Sequence, residues 1–337
     1  MTRAVQWNPL RWRRRAQVIA ATGSAMAIAL AVSLALMLTG GSPPAKPDPP
    51  PRQALLVSPF TGESVTELGP VLAVKIDNIA AARPPTGLTS ADLVYVLPVE
   101  GGLSRIMAVV SSRVPAVIGP VRSAREDDLE LLAQFGRPAF AYSGATPHLL
   151  PFVQRARTVD LYAGRADGYY RDLRRVAPHN LYAHMPRLLA EAPAASKALD
   201  IGFRFGPAPA GGRSTRSFAV SYPAAAFTFG WSASQARWLV AMDGKPARAA
   251  EGGQLGAPTV VIQYTKVRTS RFLEAGSRPP YAESTGSGSA VVLRDGLVYD
   301  ARWSRPSPDG GTSFTVASGQ PMTFARGPVW IMLAARK

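Results

Sequence analysis

Titratable and cationic side chains gather in a few short stretches of the first half of this 337-residue chain. Asp77-Asn78 closes the apolar run Val71–Ile76, and Arg83 follows in Arg83-Pro84-Pro85-Thr86-Gly87. Asp92 precedes a second apolar run. Glu100 opens Glu100-Gly101-Gly102-Leu103-Ser104, with Arg105 next. Arg122, Ser123 and Arg125 stand in one segment, and His179-Asn180 in another. These residue types support two chemistries. Guanidinium groups beside a glycine-bearing loop and a helix start attract an anion. A histidine with a carboxylate can move a proton, because imidazole titrates near neutrality. His179 with Asp77, Asp92 or Glu100 is the candidate set for that role. The same carboxylates could instead cap loops or pair with Arg83, Arg105, Arg122 and Arg125. Asn78, Asn180 and Tyr182 could orient a ligand or hold a loop.

Each stretch borders an element that would position it. Leu93–Val99 and Ile106–Ser111 are β-prone, and the Glu100–Ser104 loop between them predicts a hairpin. Ser123 reads as a helix N-cap, with Glu126 three residues on as in a capping box. Leu129, Leu132 and Phe135 give that helix one apolar stripe, and Gly136 and Pro138 end it. Ala139–Tyr142 predicts a strand running into Ser143-Gly144-Ala145. Thr146 then reads as an N-cap, with Pro147 at N1 of a helix through Arg155. Val159–Tyr162 predicts a strand and Pro186–Glu191 a helix. This alternation argues for an α/β domain with a mixed sheet over residues 55–192. Loops at one edge of such a sheet converge. Asp77, Arg83, Glu100, Arg122, Arg125 and His179 are therefore expected to line one cleft with a positive rim. Arg122→Glu is expected to abolish anion binding there, at little cost in stability if the side chain is exposed.

Residues 193–214 are rich in Ala, Pro and Gly and read as a linker. Over 215–337 short β-branched and aromatic runs alternate with turns, and Asp243-Gly244 and Asp295-Gly296 are hairpin signals. This half is expected to be a mostly antiparallel β domain. Trp231, Trp238, Trp303 and Trp330 read as its core or sheet-face residues.

Several of these stretches resemble one known family. Leu72-Ala-Val-Lys-Ile-Asp-Asn78, Ala82-Arg-Pro-Pro-Thr-Gly-Leu88, Ala91-Asp-Leu-Val-Tyr95, Val99-Glu-Gly-Gly-Leu-Ser-Arg105, Ile118-Gly-Pro-Val-Arg-Ser-Ala-Arg125 and Ala177-Pro-His-Asn-Leu-Tyr182 carry the likeness. Val260-Val-Ile-Gln263, Thr285-Gly-Ser-Gly-Ser-Ala290 and Trp330-Ile331 extend it. The chain is similar to the YerB-like bacterial envelope lipoproteins, domain of unknown function 3048. The family implies an envelope location and no particular reaction. It usually has Tyr-Glu where this chain has Tyr95-Val96.

The N-terminal end predicts export. Residues 1–15 are a basic tail, and 16–38 an apolar stretch long enough for a membrane span. The arginines precede it, which places the tail in the cytoplasm and the rest outside. A lipoprotein signal would end Leu-Thr-Gly-Cys. Here Leu38-Thr39-Gly40-Gly41 has glycine at the lipidated position, so a retained transmembrane helix would replace the lipid. The alternative is cleavage and release. Residues 39–54 are a Pro-rich linker suited to an extended spacer.

Composition narrows the function. The formal net charge is +16, with 38 Lys and Arg against 22 Asp and Glu. An exported basic domain fits an anionic cell-wall polymer, an envelope small molecule or a membrane surface, and export argues against nucleic acid. There is no cysteine, which excludes disulfides and thiolate chemistry. No Walker A loop, dinucleotide fingerprint, zincin motif or nucleophile elbow occurs. The three histidines are His148, His179 and His184, and no third ligand accompanies the last two, so neither a metal nor a cofactor is expected. The preferred expectation is binding without turnover. The alternatives are a wall hydrolase or transferase using His179 and a carboxylate, or a scaffold for wall-synthesis enzymes.

Overall fold

Apolar β-prone runs from both halves of the chain meet in one sheet. The computed structural model describes residues 55–274 and 276–336. The basic tail, the apolar stretch and the Pro-rich linker lie outside them. Among the described residues no helix is long and apolar enough to cross a membrane.

The sheet has eleven strands. Across it run 213–214, 297–305, 286–294, 259–265, 329–335, 93–98, 104–110, 72–77, 139–142 and 159–162, with 313–316 beside 297–305. Strand Val329–Ala335 is the seam. It pairs in parallel with 259–265 on one side and with 93–98 on the other. Strands 72–77 and 93–98 both run antiparallel to 104–110, so they run parallel to each other. Strands 139–142 and 159–162 continue in that direction. Strands covered on both faces read as unbroken apolar runs, and Leu72–Asp77 and Leu93–Pro98 are buried along their whole length.

Alternate residues feed two apolar layers. One face packs on a five-stranded antiparallel sheet built on 217–222, 225–232 and 237–242. There Val74, Val94 and Val96 share a core with Phe227, Phe229, Trp238 and Trp330. The other face carries helix Glu126–Ala133, with Val71, Ala73, Tyr95 and Met107 against Leu131, Leu132 and Phe135. Full burial of each large apolar side chain stabilises by about 1.5–3 kcal/mol. The two Asp-Gly turns are hairpins with both central residues at positive φ, +51° and +75°, and +53° and +73°.

Several expectations are corrected. The mixed sheet and the antiparallel sheet are present, but the first half is mostly β. Among the described residues its α-helices are three short ones, Glu126–Ala133, Leu150–Arg155 and Met185–Ala190. Strand crossovers there are made largely by loops and 3-10 turns. Ser123 is not the helix cap. Ser143 N–H donates to the Arg122 carbonyl and Ala124 N–H to that of Gly144, which keeps Ser123 extended. Arg125 becomes the N-cap, and its N–H donates to Asp128 Oδ2 at 2.7 Å. The next helix starts at Leu150, after a turn in which Leu149 N–H bonds the Thr146 carbonyl. The 193–214 segment is not a bare tether. Ala198, Ile201 and Phe203 are buried in the second core layer.

Two buried charges fix the helix to the sheet. Lys75 lies in the middle of the core strand, and its Nζ sits 2.5 Å from Asp128 Oδ1, both side chains fully buried. Asp127 beside it is pushed up to about 7, first by burial and then by the Asp128 charge. Its folded-state pKa is thus above its unfolded value. Stability linked to Asp127 is fully present below about pH 4 and is lost as pH rises through about 7. Asp127→Asn keeps an acceptor for the Ala282 N–H and removes the charge. It is expected to raise the melting temperature at pH 8 and to change it little at pH 4. Thermal unfolding at the two pH values checks this, and an equal effect at both would contradict the assignment.

Candidate functional site

The carboxyl ends of the parallel strands meet at one edge of the sheet. Asp77 ends strand 72–77, and Glu100 follows strand 93–98. Arg105 pairs directly opposite Asp77 on the adjacent strand. Loops carrying Arg122 and His179 pack over this edge, with Asp77 N–H donating to the Pro120 carbonyl at 2.9 Å. Cis peptide bonds precede Pro84, Pro120 and Pro178 in the three surrounding loops.

Asp77 is the centre. Its side chain is 1 % exposed, and Oδ2 receives His179 Nδ1 at 2.7 Å. Arg122 Nε lies 3.0 Å from the same oxygen, as an ion pair whose angle is outside hydrogen-bond geometry. Among the described residues Asp77 Oδ1 has no hydrogen-bond partner. A carboxylate on Nδ1 fixes the imidazole orientation and points Nε2 away from the strand end.

A second carboxylate neighbours the first. Glu100 receives Arg125 through both oxygens, at 3.0 and 2.6 Å, and Arg105 Nη2 at 2.8 Å. Burial alone would raise Glu100, but the Arg125 hydrogen bond and the Arg105 and Arg125 charges outweigh it and hold the carboxyl at about 2. Arg105 is pushed down to about 10, first by burial and then by Arg125, against the pull of Glu100 and Asp77. Its Nε and Nη1 are buried without hydrogen-bond partners among the described residues.

The arginines are therefore not equivalent. Arg125 is committed: it also meets Glu274 at 2.9 Å, and Nη1 bonds the Ala124 carbonyl. Arg83 spends Nε and Nη2 on the Asn78 carbonyl and Nη1 on Asp243 at 2.6 Å. Arg122 is different. Its side chain is 24 % exposed, and among the described residues its terminal nitrogens make no hydrogen bond. The carboxylates Asp77, Glu100, Asp243 and Glu274 balance most of the cluster, so the expected positive rim contracts to the surroundings of Arg122.

The other predicted residues separate by role. Asn78 Nδ2 donates to Ser104 Oγ at 3.0 Å and ties the end of strand 72–77 to the start of strand 104–110. Asn180 fastens its own loop through Arg171 and the Asp172 and Arg175 carbonyls. Ser123 Oγ approaches Ser143 Oγ at 3.4 Å. Asp92 lies at the opposite end of the sheet, because it precedes its strand while Asp77 and Glu100 follow theirs. There Oδ2 receives the Ser111 and Ser112 N–H groups at 2.6 and 2.8 Å. A six-residue strand separates the two ends by about 20 Å, so Asp92 is not part of the cluster. Val96 is buried in the layer under the antiparallel sheet, on the face opposite Asp77. Its departure from the family's glutamate takes no carboxylate from the Asp77 side. Glu274 and Asp243 are absent from the sequence-derived set, since both come from the distant half; Glu274 carries no local pattern and Asp243 reads only as a turn residue. Lys75 did leave a signal, a lysine inside an otherwise apolar strand.

Comparison with known proteins places this geometry. A 96-residue stretch is 41% identical to the Bacillus subtilis (strain 168) protein named "Putative lipoprotein YerB". That match covers 27% of this chain and 28% of the relative. The crystal structure of YerB from Bacillus subtilis superposes with a TM-score of 0.71 over 82% of this chain and 96% of that one. At 20% identity this likeness shows a shared fold. The N-terminal domain of the family described as "Protein of unknown function (DUF3048)" matches residues 60–198, and its C-terminal domain matches 218–331. The chain belongs to the DUF3048 family.

Proposed function

We propose that this is a membrane-associated extracytoplasmic protein that binds an acidic group of a cell-wall polymer or envelope small molecule without turning it over. The observation that carries the reading is the state of Arg122. A nearly buried carboxylate pairs with its guanidinium at Nε and also holds His179, and among the described residues the two terminal nitrogens make no hydrogen bond. A preoriented fork of N–H donors is suited to a carboxylate or phosphate group. The location at strand carboxyl ends supports it, as does the basic balance of the chain. The apolar 16–38 stretch and the likeness to a lipoprotein support the envelope location.

Purified cell wall is expected to retain the full-length protein in detergent at low ionic strength. Retention falls as salt shortens the Debye length below about 10 Å. No retention at low salt sinks the proposal. The 2.7 Å contact of His179 with Asp77 favours one further reading, with His179 as a general base. Soluble wall fragments released in the same assay, and lost in His179→Gln, would mark that reading.

A further inference from the structure

Two clefts flank one aromatic side chain near Arg122. One, of about 490 Å³, is lined in part by Thr86, Tyr170, Asp172 and Tyr182. The other, of about 470 Å³, is lined in part by Ser143, Tyr162, Tyr170 and Arg171. Both volumes fall in the range of small-ligand sites, about 300–1,000 Å³. Tyr170 lines both clefts. The second cleft begins beside the Asp77 cluster, because Ser143 N–H donates to the Arg122 carbonyl at 3.0 Å.

Strand pairing builds the platform. Tyr169–Arg171 runs antiparallel to Leu181–His184, with Tyr170 opposite Tyr182. Residues two apart on a strand share a face, so Tyr182 and His184 lie on the same side. The Tyr170 ring stacks on both, with centroids at 5.8 Å from Tyr182 and 4.6 Å from His184. Tyr170 is nevertheless 37% exposed. The polar rim is held in place. Arg174 grips the Asp172 carboxylate at 2.9 and 3.0 Å. Arg175 bonds the Ala82 and Pro84 carbonyls at 3.0 and 2.7 Å, and its guanidinium lies 5.8 Å from the Tyr182 ring centre.

We propose that Tyr170 is the stacking platform of an oligosaccharide subsite that runs through both clefts. A pyranose ring has a flat face of C–H groups and a rim of hydroxyls. The flat face matches an exposed tyrosine ring whose own stacking partners hold it rigid. The hydroxyls match the carboxylate of Asp172 and the guanidinium of Arg171, an acceptor and a donor at the edges of the ring. One platform between two clefts suits a chain of repeated rings. A short peptide, the competing occupant, lacks the repeated flat face. The inference rests on the proposed binding at Arg122 and names the chemistry of the rest of that polymer.

The test uses the full-length protein in detergent and a neutral β-1,4-linked N-acetylglucosamine tetramer, followed by calorimetry. Wild type binds, and Tyr170→Ala weakens binding by about tenfold or more. Tyr170→Trp preserves it, and a thermal melt confirms that both variants fold. No binding by wild type, or equal binding by Tyr170→Ala, overturns the subsite. Displacement of the tetramer by an alanine-rich tetrapeptide overturns the saccharide assignment. Tetramer binding without wall retention would overturn the acidic-group reading alone.

Discussion

Asp128→Ala is expected to lower the unfolding free energy by about 3–5 kcal/mol, the cost of stranding one member of a buried ion pair. Lys75 would keep its charge in a fully buried position with no carboxylate at 2.5 Å. The substitution also removes the acceptor of the Arg125 N–H, so the first turn of helix 126–133 loses its cap. A cap is worth about 1 kcal/mol more. The double variant Lys75→Met with Asp128→Leu removes both charges and is expected to be far less destabilised, because apolar pairs of similar volume replace buried ion pairs well. Urea denaturation of the three proteins gives the comparison. A loss below about 1 kcal/mol in Asp128→Ala would show that the pair is not buried as described. The pair matters to the site because Arg125 is the helix cap and also the fork that holds Glu100.

Arg122→Gln is expected to lower affinity for a polyanion by about tenfold to a hundredfold, the worth of a hydrogen bond to a charged group. Glutamine keeps a donor near Asp77 and removes the positive charge. Arg122→Glu is the harsher change, and its cost in stability is not small. The guanidinium faces a carboxylate only 1 % exposed, so a glutamate would set a second negative charge against Asp77. The matched control is Arg213→Gln, since Arg213 is 63 % exposed on the far edge strand of the sheet and pairs with Asp300. Equal losses in the two variants would assign binding to overall charge instead of to the Asp77 cluster.

Local pattern accounts for most of what was legible. Strands 139–142 and 159–162 coincide with the predicted runs, and the Asp-Gly turns fall where the dipeptides stand. Asp77, Glu100, Arg122 and His179 come together because each follows or borders an element on the same sheet edge. Pairing partners were not legible. Strand Val329–Ala335 belongs to the second half of the chain, yet it bridges to 93–98 and carries the sheet across both halves. The start of helix 126–133 was misplaced because Ser123 has the chemistry of a cap, and tertiary hydrogen bonds to residues 143–144 override it. The commitment of Arg83 and Arg125 also depends on distant residues, Asp243 and Glu274. A count of arginines therefore overstates the free positive charge.

The central claim is that an acidic ligand docks where Arg122 and His179 share Asp77. The sequence holds three histidines, which makes histidine-selective NMR a direct test. His148 lies exposed in the turn before helix 150–155, and His184 stacks on Tyr170. Polyglycerol phosphate added to the full-length protein in detergent is predicted to shift the His179 imidazole signals in a saturable way. His148 stays unmoved, and Arg122→Gln removes the effect. Bound polymer with His179 unshifted, or a shift of His148 alone, would contradict the account.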